Sequence, residues 1–72
     1  MNRQEHLDWC KQRALEYVTL GNLPAAWTSF TSDMGKHEET RNHSALELGS
    51  IMLFGGQLNT QAKMREFING FN

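Results

Sequence analysis

The stretch Gly21-Asn22-Leu23-Pro24-Ala25-Ala26-Trp27-Thr28-Ser29-Phe30 decides how this chain folds. Glycine adopts the left-handed conformation that stops a helix without a Cβ penalty. Proline opens a helix at no cost, because the first N–H groups of a helix have no internal partner. One helix therefore ends at Gly21 and another restarts at Pro24. A similar Gly-x-Leu recurs as Gly56-Gln57-Leu58, and the restart Ala25-x-Trp27-x-x-Phe30 is echoed by Ala62-x-Met64-x-x-Phe67. The pattern implies two helical hairpins made in the same way, a scaffold suited to presenting a surface rather than a reactive cleft.

Working outward, the chain reads as all-α. The expected architecture is a compact antiparallel four-helix domain of two helical hairpins, with helices near 3–20, 24–34, 41–54 and 60–70. Asn2 with Glu5 forms a capping-box pattern for the first helix. Leu7, Cys10, Ala14, Tyr17 and Val18 share one face at helical spacing. Leu23, Ala26, Trp27, Phe30 and Met34 form the apolar face of the second, with Thr28, Ser29 and Ser32 turned to water. The third is secure from Ser44, a possible cap with Glu47. Its stripe is Ala45, Leu46, Leu48, Met52 and Leu53, with Ile51 and Phe54 adding apolar area on the other side. It is the most hydrophobic helix and is expected to be the most buried. Gly49 lowers helix propensity by up to about 1 kcal/mol against Ala, which a close helix crossing would explain. Thr60 or Asn59 caps the fourth helix, where Met64, Phe67, Ile68 and Phe71 line up.

Composition narrows the function. The 72 residues make one domain, with a core that at this size supplies only about 3–5 kcal/mol. Seven Lys and Arg against eight Asp and Glu give a formal charge of −1, which disfavours nucleic acid as a partner. No basic run suggests an anionic membrane surface, and no apolar stretch reaches the ~18 residues of a membrane span. The polar start, Met1-Asn2-Arg3-Gln4-Glu5-His6, lacks the apolar region of a signal peptide. The single Cys10 forms no internal disulfide and suits a reducing cytoplasm.

Two resemblances follow from particular residues. Ala14, Tyr17, Gly21, Leu23, Ala26 and Phe30 stand as in a tetratricopeptide hairpin, and the segment Ala14 to Met34 resembles one such repeat. The usual exit proline is missing, and Arg65 stands where the second hairpin should carry an aromatic. A solenoid needs about three repeats, so repeat-like hairpins in a single domain are expected. Over nearly its full length the chain also resembles a group of small proteins of tailed bacteriophages. That likeness rests on Asn2-Arg3-Gln4-Glu5-His6-Leu7-Asp8-Trp9-Cys10, His43-Ser44-Ala45-Leu46-Glu47-Leu48-Gly49 and Met64-Arg65-Glu66-Phe67-Ile68-Asn69-Gly70-Phe71-Asn72. It implies a protein acting in the cytoplasm of an infected bacterium. By analogy it would bind a host protein and modulate it.

Chemistry-bearing constellations are few. His6 and Cys10 lie four apart on one helix, and a zinc site would need His37 and His43 to complete it. Structural zinc prefers paired Cys or Cys/His spacings, and Cys10 falls in the core stripe, so neither a metal nor a cofactor is expected. Burial would make the thiol inert as a nucleophile. Glu38 and Glu39 beside His37 read as a solvated turn, and no enzymatic activity is expected. A DNA-binding regulator of helix-turn-helix type is the remaining alternative; against it, the second helix turns no Arg or Lys outward and the fourth offers only Lys63 and Arg65. Trp9 lies opposite the core stripe and needs a second contact, with Arg13 one turn on; Trp and Arg are enriched in binding hot spots. The partner-binding residues are accordingly Trp9 and Arg13 as anchors, with Lys36, His37, Arg41 and His43 as rim. Packing of Trp9 under helix 3, helix 4 or Phe71 is the alternative. A homodimer that covers Trp9, Ile51 and Phe54 is the alternative function.

Overall fold

The computed structural model describes residues 2–72 and contains four helices: α1 (Arg3–Thr19), α2 (Leu23–Met34), α3 (Ala45–Phe54) and α4 (Gln61–Asn69). The all-α, four-helix expectation holds. The turns explain it. Gly21 has φ +79°, its N–H reaches Val18 O at 2.9 Å, and Asn22 N–H reaches Tyr17 O at 3.0 Å. This is a Schellman closure, in which a left-handed glycine satisfies the last orphan carbonyls of a helix. The same closure recurs after α3. Gly56 has φ +77°, its N–H reaches Leu53 O at 3.1 Å, and Gln57 N–H reaches Met52 O at 2.8 Å.

Helix starts are equally local. The Asn2 side chain accepts the Glu5 N–H at 2.8 Å while Glu5 accepts the Asn2 N–H, completing the capping box. Asn22 caps α2 through the Ala25 N–H, and Thr60 caps α4 through the Lys63 N–H. α3 departs from expectation. Ser44 makes no side-chain cap bond, and the Ala45 N–H is taken instead by His43 Nδ1 at 3.2 Å. The helix also begins at Ala45 rather than near residue 41. The buried Thr40 explains the delay: its hydroxyl donates to Met34 O at 2.7 Å, tying off the end of α2, and residues 40–43 are used in turns.

The main packing partners of α1 are α2 and α4. Their shared core is Leu7, Cys10, Ala14 and Val18 from α1, Ala26, Trp27, Phe30 and Met34 from α2, Met64 and Ile68 from α4, with Leu58 and Phe71. Tyr17, expected on the core face, is exposed, because the α1 face is narrower than its apolar spacing suggests. Ser29 is half-buried rather than turned fully to water. Phe71 closes the end of the core, its ring 4.7 Å from that of Phe30 and 5.5 Å from that of Phe67, both edge-on.

The expectation that α3 is the most buried helix is wrong. Its one fully buried residue is Gly49, which carries no side chain. Gly49 lies so close to the Trp27 and Phe67 rings that a Cβ would clash with both, the close crossing its presence implied. Trp27 Nε1–H donates to Ser50 Oγ at 3.0 Å and adds a polar link. Ala45, Leu46, Met52 and Leu53 are partly covered. Leu48 is 52 % exposed, Ile51 69 % and Phe54 91 %. Hydrophobic content does not dictate burial when α2, α4 and the tail already cover one another.

Candidate functional site

Trp9, on the outer side of α1, is half-buried. It is one of the partly buried hydrophobic side chains packed against the core. The Arg13 guanidinium lies 4.9 Å from its ring centroid and Lys36 Nζ lies 5.6 Å from it, both within cation–π range. The two cations are held there by one carboxylate. Asp33, 1 % exposed near the end of α2, accepts Arg13 Nε–H at 2.7 Å and Lys36 Nζ–H at 3.0 Å. Burial opposes ionisation of Asp33, but the hydrogen bonds from Lys36 and Arg13 outweigh it and hold its carboxyl below the ordinary carboxylate range. The bond to Asp33 likewise raises the Arg13 guanidinium above its ordinary value.

Behind this clasp lie the imidazoles. His6 Nε2–H donates to the Asp33 carbonyl at 2.9 Å, and the His37 ring sits 4.9 Å from that of His6. Cys10 Sγ is 3.5 Å from His6 Nε2. Burial, aided by the Asp33 charge, pushes the Cys10 thiol up to about 11, so it is a protonated core group rather than a nucleophile. Among the described residues no set of three or more His, Cys, Asp or Glu side chains is arranged to hold a metal ion.

Of the six residues expected to form a partner surface, the fold gathers Trp9, Arg13, Lys36 and His37. Arg41 pairs with Glu38 at 3.7 Å on the exposed turn. His43 faces elsewhere: its ring lies 4.9 Å from that of Phe71, and its Nε2–H donates to Asn72 O at 3.1 Å. There it borders a groove of ≈ 420 Å³ between α3 and α4, lined among others by Met52, Leu58, Lys63, Glu66 and Phe67.

Sequence reasoning missed three features. Asp33 is the hub of the Trp9 clasp, and only its spacing from Lys36 hinted at a pairing. The groove leaves no sequence signal, since its walls come from separate segments. The outward stripe of Leu48, Ile51 and Phe54 was half visible: the exposure of Ile51 and Phe54 was legible in their place opposite the expected core stripe, that of Leu48, assigned to the stripe, was not. The fold and surface thus define a small four-helix domain with a buried Asp33 clasped by Arg13 and Lys36, a buried thiol, and an exposed apolar stripe on α3. No protein-family model, curated protein or solved structure matches the chain.

Proposed function

We propose that the chain is a non-enzymatic protein–protein interaction module that docks through the outward face of α3. The observation that carries this reading is the exposed stripe Leu48, Ile51 and Phe54 on a ten-residue helix whose only charge is Glu47. Large apolar side chains in a contiguous exposed group mark interaction surfaces, and interface centres are depleted in charge. The Trp9 clasp is a second contact region, with Trp9 and Arg13 as anchors and Lys36 and His37 beside them. Following the resemblance to small phage proteins, the partner is a host protein that the module modulates in the cytoplasm of an infected bacterium. No helix among the described residues is long and apolar enough to cross a membrane. Nucleic acid is disfavoured further by the pairing of Arg13 and Lys36 with Asp33 and of Arg41 with Glu38.

The test is affinity capture from bacterial lysate with tagged wild type, Phe54→Ser and Trp9→Ala, each checked by circular dichroism. A partner retained by wild type and lost from the well-folded Phe54→Ser variant supports docking through α3. Equal capture by wild type and Phe54→Ser removes that face from the proposal. The second reading, favoured by the exposure of Ile51 and Phe54 together, is that a second copy covers the stripe. Light scattering at high concentration decides it: a monomer of the 8.3 kDa chain defeats the dimer.

A further inference from the structure

His43 holds the N-terminal end of α3 through both ring nitrogens. Nδ1 accepts the Ala45 N–H at 3.2 Å, and Nε2–H donates to Asn72 O at 3.1 Å. Accepting at one nitrogen requires a lone pair and donating at the other requires a proton, so this geometry is that of the neutral ring. No side chain of Ser44 substitutes for the cap. The rest of the seating of α3 is the close approach of Gly49 to Trp27 and Phe67, the bond from Trp27 Nε1–H to Ser50 Oγ, and the partly buried Ala45, Leu46, Met52 and Leu53.

We propose that His43 is an acid-labile clip, and that a proton added at Nδ1 breaks the bond from the Ala45 N–H, loosens the first turn of α3 and unseats the helix from Trp27. Three physical terms act in that direction. The imidazolium has no lone pair for the Ala45 N–H, so an acceptor becomes a donor facing a donor. A cation at a helix N-terminus opposes the positive end of the macrodipole. Arg3 of α1 donates to the same Asn72 oxygen at 2.8 Å, offsetting any charge that oxygen carries and placing a fixed cation nearby.

The other charged groups around His43 do not reverse this. Lys63 and Glu66 of α4 line the groove it borders, and Glu47 lies in the first turn of α3. Among the described residues no carboxylate side chain forms an ion pair with its ring. His37 acts in the same sense at the other end of the connection. Its Nδ1 accepts the Glu39 N–H at 3.1 Å, so a proton there likewise removes an acceptor. Asp33, Glu38 and Glu39 are the anions of that region, but Asp33 already serves Arg13 and Lys36, and Glu38 serves Arg41. The device rests on the mounting of α3 alone. If α3 also carries the docking face, partner binding becomes pH-dependent.

Nuclear magnetic resonance tests it without any partner. The indole N–H signal of Trp27 reports its bond to Ser50, and the His43 ring signals report protonation. Both are followed from about pH 7.5 to about pH 5, the range in which histidine changes charge. In wild type the Trp27 signal is expected to shift in step with the His43 ring. In His43→Asn, whose side-chain carbonyl caps and whose amide donates without titrating, the Trp27 displacement is expected to fall at least twofold. Titration of the His43 ring with a stationary Trp27 signal overturns the proposal, as does a His43→Asn variant whose Trp27 shifts like wild type. Should His43→Asn fail to fold, the two wild-type signals decide alone.

Discussion

A Cβ on Gly49 would run into the Trp27 indole and the Phe67 ring. On an exposed helix, Gly→Ala gains up to about 1 kcal/mol of helix propensity. Overpacking a close contact costs about 1–3 kcal/mol, so Gly49→Ala is expected to destabilise on balance. A lowered urea midpoint checks the sign; a raised one would mean that the crossing yields. Asp33 offers a test of charge. Its carboxyl titrates below the ordinary range in the fold and near about 3.9 when unfolded. Stability from the clasp is therefore fully present above about pH 4 and is lost as pH falls through the lower folded value. Melting temperatures of wild type and Asp33→Asn should converge as the pH drops below about 4. A constant gap between them through that range would remove Asp33 as the source.

At the scale of the element, the helices differ in how they are held. α1 gives its buried side to both α2 and α4, whereas α3 gives a glycine, one hydroxyl and partly covered side chains. Elements with few buried apolar contacts open at lower free energy than the core around them. Amide hydrogen exchange should therefore show α3 exchanging before α1 and α2 under native conditions. Uniform protection across all the helices would contradict the slight seating assigned to α3. Phe54→Ser, at the outer face, should alter stability by no more than about 0.5 kcal/mol, as expected of an exposed position. Phe30→Ala, in the core, should cost about 3–5 kcal/mol.

For the whole molecule, the C-terminal tail acts as the last wall of the core. Phe71 is buried against Phe30, Trp27 and Phe67, and Lys11 of α1 donates to the carbonyls of Asn69 and Phe71. Arg3 and His43 hold the oxygen of Asn72. Residues far apart in sequence thus converge on three terminal positions. Loss of a buried Phe costs about 3–5 kcal/mol, which matches the total stability available to a domain of this size. Deletion of residues 70–72 is expected to leave a largely unfolded chain by circular dichroism. A cooperative melt within a few degrees of wild type would show that the core closes without them.

The sequence by itself determined the helices and their turns. Gly21, Gly56, Asn2 and Thr60 act on partners within a few residues, so their effects are readable before any fold is known. The core faces of α1, α2 and α4 were legible for the same reason, since helical spacing alone brings Leu7, Cys10, Ala14 and Val18 together. Tertiary structure decided what the apolar residues of α3 face, why Asp33 is buried, and where Trp9 and His43 go. Each of those outcomes depends on which surfaces neighbours already occupy. The Trp9 clasp needed Asp33 brought beside Arg13 by the hairpin, and the groove needed walls from α3, α4, Leu58 and Phe71 brought together. Periodicity assigns a residue to a helix face, but only the packing of other elements determines whether that face meets protein or water.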